Sequence, residues 1–173
     1  MRKDDYIGQP FHWFTGQIRD IDDKKKFNRV KVYCHGYYHE DLETKDLPWA
    51  TVMMPTTSAG IPNVGANHHL EVGSWVVGFF RDGSSAQDPI VMGSITSSTD
   101  DKADLPSTAS VDNKVYHSMG GHKIEMDNSP GDIKITHASG SSINMKNDGN
   151  IYVTSTVGDI IVSSGIGKKT KII

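Results

Sequence analysis

Hydrophobic and polar positions along this chain alternate in short runs, and no window of a dozen residues holds the i, i+3, i+4, i+7 stripe of an amphipathic helix. The cleanest run in the first half is Arg29-Val30-Lys31-Val32-Tyr33-Cys34. It sets Val30, Val32 and Cys34 on one face and Arg29, Lys31 and Tyr33 on the other. This predicts the second arm of a hairpin whose first arm is residues 14–21 and whose turn is the charged segment 22–26. Three more strands follow, at 47–55 between prolines, at 71–81 as the most hydrophobic run, and at 87–95. Polar or Gly/Ser/Asn-rich stretches at 35–46 and 56–69 read as long loops.

Five strands in about 85 residues fit a small closed barrel of the OB type better than a sandwich, which usually needs about seven. From Gly121 onward the alternation becomes periodic. Glycines fall at Gly121, Gly131, Gly140, Gly149, Gly158 and Gly167, and most are followed by an apolar-x-apolar triplet. The paired apolar residues are Ile124 and Met126, Ile133 and Ile135, Ile143 and Met145, Ile151 and Val153, and Ile160 and Val162. Their spacing, close to nine residues, is too short for a helix-pair repeat and suits strands that bury one face. Val115 and His117 stand nine residues ahead of Ile124 and Met126 and extend the pattern upstream.

A ribbon of such strands has a dry face too narrow to cover itself. A single-chain solenoid generally needs a coil of about twenty residues or more to enclose a core. Three chains wound about a common axis would enclose one of Ile, Met and Val, with the glycines at the turns. The competing reading is an ordinary antiparallel sheet with accidentally regular glycines. The outward positions Glu125, Lys134, Asn144, Tyr152 and Ile161 are mostly polar, as a solvated shaft requires. The pattern breaks after Gly167, where Lys168-Lys169-Thr170-Lys171 precede Ile172-Ile173, so the shaft is expected to end there.

The expected organisation is an arm at 1–10, a barrel at 11–95, a Ser/Thr/Asp-rich linker at 96–112 and the repeat at 113–173. With 173 residues, 17 of them glycine, and a net charge of −3, the chain is an all-β protein with many turns and a thin core. The single cysteine, Cys34, has no partner for an intrachain disulfide. The segment MRKDDYIGQP lacks the apolar centre of a signal peptide, and synthesis in a reducing cytoplasm is expected.

Candidate chemistry is sparse. His68 and His69 are adjacent, so in an extended segment they point apart, and His35 and His39 lie in a polar loop. A threefold histidine site would need His117 to point inward in register with Met126, with His122 and His137 nearby. No Gly-x-Ser-x-Gly elbow and no nucleophile beside a base appears, so no catalytic, cofactor or metal residues are expected. The rival reading is an OB-fold nucleic-acid binder using Trp13, Tyr33, Tyr37 and Tyr38 with Lys24-Lys25-Lys26. It is set against a net acidic chain in which Asp22 and Asp23 match the lysines.

The segments Asn28-Arg29-Val30-Lys31-Val32, Leu47-Pro48-Trp49-Ala50, 54–58, 73–83 and 87–93, followed by the repeat, resemble the OB domain and triple-stranded β-helix of the central spike of contractile phage tails. The valine-glycine repeat spikes of type VI secretion share this order. The resemblance covers residues 11 to about 165 and implies a homotrimer in the virion tail baseplate, with barrels as a collar and intertwined β-helices as a needle that pierces the host envelope. It also implies contacts with baseplate hub and tube proteins, and no nucleic acid. Some relatives carry a lysozyme domain between barrel and needle, where this chain has a short linker. Some end in a metal-binding His-x-His apex, which residues 163–173 lack. A separate tip protein of the PAAR-repeat kind, meeting Lys169, Lys171, Ile172 and Ile173, is the expected substitute. The alternative context is a type VI or other contractile-injection spike.

Overall fold

The computed structural model describes residues 11–99, 102–166 and 170, and the chain forms two compact units, Met1–Ala103 and Asp104–Ile173. The predicted arm at 1–10 lies outside the described residues. Among the described residues all regular structure is β apart from two single-turn 3-10 segments, Thr44–Asp46 and Gly83–Ser85.

In the first unit, β1 (Trp13–Asp20), β2 (Arg29–Cys34), β3 (Trp49–Val52), β4 (Trp75–Phe80) and β5 (Pro89–Ser94) close into a barrel in the order β1-β2-β3-β5-β4. Its one parallel pairing, Thr51 opposite Ile90, joins β3 to β5, and the other neighbours are antiparallel. The alternation in β2 lands as the sequence dictates. Val30, Val32 and Cys34 are fully buried with Phe14, Ile18, Ala50, Val76 and Val91. Closure brings the backbones close at Gly78, where an added Cβ would sit 2.1 Å from the Ile90 carbonyl oxygen and 2.6 Å from the Phe14 ring. Only glycine fits there.

Two predicted strands are shorter than expected. At 71–74 the Ser74 amide donates to the Glu71 carbonyl, 3.1 Å, and Gly73 takes φ +93°, so a turn precedes β4. β3 keeps only Trp49–Val52, between Pro48 and the Met53 amide, which donates to Val91. The predicted linker holds a small hairpin, β6 (Ser98–Thr99) against β7 (Lys102–Ala103).

In the second unit, β8 (Asn113–His117), β9 (Lys123–Asp127), β10 (Asp132–Thr136), β11 (Ser142–Met145) and β12 (Ile151–Thr154) form an antiparallel meander. The turns between them stack in two rows. A Cβ on Gly121 would touch Ala138, one on Gly131 would touch Asn147, and one on Gly140 would touch Thr156.

Candidate interaction surface

Strand register decides which side chains share a face, because residues opposite each other in a ladder point the same way. One row runs Tyr116, Ile124, Ile135, Ile143, Val153, and the next runs Lys114, Met126, Ile133, Met145, Ile151. Eight of the ten predicted core residues of the repeat therefore lie side by side on one face of the sheet. Among the described residues that face is open: Ile124 and Ile135, from central strands, are 44% and 45% exposed.

Two expectations about this face are corrected. Val115 and His117 belong to the opposite face, where Val115 is opposite Glu125 and His117 opposite Lys123; Lys114 and Tyr116 take the places foreseen for them. A step of ten residues, not nine, separates these strands, and a one-residue slip exchanges faces. An inward threefold site built on His117 is thereby removed. The triplet Ile160-Ile161-Val162 has the expected pattern but joins no strand.

The reverse face carries the charges and is the more enclosed of the two. Thr108 hydroxyl donates to Glu125 Oε1, 2.6 Å, while Asn113 Nδ2 donates to the Thr108 carbonyl, 3.0 Å. The Thr108 hydrogen bond, helped by Lys123, holds the Glu125 carboxyl below the usual carboxylate range. Lys146 pairs with Asp132 at 2.5 Å and lowers it likewise. On this face the side-chain oxygens Asn113 Oδ1, Thr136 Oγ1 and Asn144 Oδ1 are buried without a protein partner. Nothing in the apolar periodicity pointed to the Thr108 contact, which comes from the predicted linker.

The turn glycines divide into two classes. Gly121, Gly131, Gly140 and Gly149 have φ of +83°, +96°, +91° and +84°. At Gly121, Gly140 and Gly149 the glycine amide closes a tight turn to Ser118, His137 and Lys146. A left-handed residue at that position matches the twist of the flanking strands. Gly158 does not adopt positive φ, and its amide bonds the Ser155 hydroxyl. Gly167, Lys169, Lys171, Ile172 and Ile173 lie outside the described residues.

Histidine and aromatic side chains are engaged elsewhere. The rings of His122 and His137 lie 4.6 Å apart on neighbouring turns, and each Nδ1 accepts a backbone amide, from Ala138 at 3.3 Å and Ser139 at 3.1 Å. That places the ring proton of a neutral imidazole on Nε2, the atom a metal would otherwise reach. Among the described residues no cluster of three His, Cys, Asp or Glu side chains that could hold a metal occurs. In the barrel, Tyr38 packs against the core with its hydroxyl on the Ala86 carbonyl, and Tyr37 lies on Phe80 with its hydroxyl on the Trp13 carbonyl. Tyr33 bonds the Tyr38 carbonyl and meets the edge of His35, which stacks on Trp75. Lys24 pairs with Asp22. Tyr33, Tyr37, Tyr38 and Lys24, four of the residues a nucleic-acid reading would use, thus make internal contacts, while Trp13 is 59% exposed. Burial pushes the Cys34 thiol up to about 12.

Comparison with known proteins agrees with the barrel. Over 91 residues the chain is 33% identical to Protein Gp5 of Vibrio phage KVP40, covering 48% of this chain and 21% of that protein. Over 85 residues it is 32% identical to the Pre-baseplate central spike protein Gp5 of Enterobacteria phage T4, covering 44% of this chain and 15% of that protein. The chain thus spans well under a quarter of the length of either relative. The family model for the Gp5 N-terminal OB domain matches residues 35–162, from the end of β2 through β12 and beyond. With most of its length matched and a closed five-stranded barrel at its centre, the chain belongs to the Gp5 N-terminal OB domain family.

Proposed function

We propose that this protein is a structural, membrane-piercing spike of a contractile-tail baseplate, working as a homotrimer and without catalytic activity. One observation carries the reading: two rows of Ile, Met and Val lie side by side on a sheet face that nothing among the described residues covers. Burying one Ile or Met side chain contributes about 1.5–3 kcal/mol. A face of eight such residues is a strong drive to associate. Three copies packed about a threefold axis, as a triple-stranded β-helix over residues 113–173, would bury that face and leave the charged face outward. The barrels would form the collar and meet the hub and tube proteins of the baseplate in the virion. The needle would transmit sheath contraction to the host envelope, with a tip protein of the PAAR kind capping the Lys169–Ile173 end.

The test is mass in solution. Light scattering on the purified full chain is expected to give three times the 19.0 kDa protomer. The same assembly should run as a trimer in detergent at room temperature and as a monomer after boiling, because interleaved strands separate slowly. A monomer at micromolar concentration would overturn the reading.

A further inference from the structure

We infer that a groove on the barrel is a binding site for a soft monovalent cation, Cu(I) or its redox-silent analogue Ag(I), held by thioether sulfur and one imidazole. The site belongs to the first unit and stands apart from how copies of the chain assemble. Val52 and Val91 are opposite each other in the parallel pairing of β3 with β5. The Met53 amide donates to the Val91 carbonyl, 2.8 Å, so that pairing runs on past Val52 and brings Met53 and Met54 alongside Met92. From β2's entry, Asn28 Nδ2 reaches Met54 Sδ at 3.5 Å. Three of the seven methionines thus line one groove of about 230 Å³ together with His69. Met53 and Met92 are 46% and 49% exposed, so the groove opens to solvent.

His69 is set up as a ligand. Its Nδ1 lies 2.8 Å from the Leu70 carbonyl oxygen. A carbonyl only accepts, so in the neutral ring Nδ1 carries the proton and Nε2 keeps a bare lone pair. A second ring nitrogen fixed on a backbone carbonyl is the usual state of a metal-binding histidine. His122 and His137, whose Nδ1 atoms accept amides, have the opposite tautomer. The His69 backbone is also strained, at φ +36°, and its amide donates to Asn67 Oδ1 at 3.2 Å. Strain of this kind persists where the surrounding structure holds a side chain to a particular aim.

The donor set selects the ion. No Asp, Glu, Lys or Arg lines the groove. Mg²⁺ and Ca²⁺ take oxygen ligands, and Zn²⁺ takes thiolate, imidazole and carboxylate. Uncharged sulfur beside one imidazole suits a soft, singly charged ion instead. The one thiol that could compete, Cys34, is fully buried in the barrel core and is held in its protonated form by that burial.

Titration of silver(I) nitrate into the full chain, carrying methionines labelled at the methyl carbon and kept in chloride-free buffer, tests the site. The Met53, Met54 and Met92 methyl resonances are expected to shift and saturate at one equivalent, while those of Met119, Met126 and Met145 stay in place. Zinc nitrate should move none of them. Cu(I) affinity, read anaerobically by competition with a chromogenic chelator, should fall about tenfold or more in His69→Gln and in Met53→Leu/Met92→Leu. It should be unchanged in Cys34→Ala. Shifts led by Met119, Met126 or Met145, equal shifts with Zn²⁺, or Cu(I) binding lost only in Cys34→Ala would each overturn the site. The methyl shifts are read on the unsubstituted chain, so a variant that failed to fold would leave that test intact.

Discussion

The Asp23 carboxylate accepts four hydrogen bonds from the turn and the start of β2. It takes the amides of Lys25 and Phe27, each at 3.0 Å, and the Arg29 guanidinium at 2.9 and 2.7 Å. The guanidinium packs in turn on Phe27 and Trp49. Here Lys26 and Asn28 take φ of +55° and +57°, a conformation that costs energy outside glycine and that the carboxylate holds in place. The Arg29 contact keeps Asp23 far below the usual carboxylate range, so it stabilises the fold fully above an unfolded-state value of about 3.9. That stabilisation fades as pH falls through the lower folded-state value. Asp23→Asn should therefore lower the urea midpoint at pH 7, and the gap from the unsubstituted protein should narrow below about pH 4. A gap independent of pH would refute the assignment. Cys34 yields a second test: with its thiol pushed up to about 12 and buried, it should resist a thiol reagent at pH 8 until the barrel is unfolded. Of these residues, the sequence alone places Cys34 on the buried face, because alternation carries that information. It gives Asp23 only as part of a charged turn, since the positive-φ geometry that aims its carboxylate leaves no periodic trace. Tyr38 was equally unreadable, being a loop residue turned into the core.

Elements were legible where their period was unbroken and were lost where a single residue changed parity. β2 and the four triplets of β9 to β12 follow directly from alternation. β8 does not, because its register sets Lys114 opposite Met126 and Tyr116 opposite Ile124 and so brings Lys114 and Tyr116 to the apolar side. Turn glycines can be tested against each other. Gly140→Ala forces a Cβ into a left-handed position at φ +91° and should cost about 1–2 kcal/mol in thermal unfolding, whereas Gly158→Ala should be close to neutral in the second unit's fold. Equal effects would mean that the two turn classes do not differ as described. In the barrel, Gly78→Ala places a methyl group against backbone at Ile90 and should cost about 3 kcal/mol or more, read as a fall in the denaturant midpoint.

At the scale of the molecule, the first unit has its own core and the second has only half of one. Ile135→Asp, in the middle of the apolar face, should abolish assembly by light scattering while leaving the near-ultraviolet circular dichroism of the barrel aromatics unchanged. Loss of both signals together would show that the barrel depends on the assembly. The regular meander carries one more consequence, which concerns length. Successive strands run in opposite directions, but Ile124 in β9 and Ile143 in β11 occupy equivalent places two strands apart. Excising residues 124–142 would join Lys123 to Ile143 with direction and facing preserved, and would shorten the sheet by about 10 Å, two strand spacings. Removing one strand alone would reverse the chain and send the remainder to the wrong side. Sheets built on this plan can therefore grow or shrink only in hairpin-sized increments, and their length becomes a quantity that insertions and deletions tune in discrete steps.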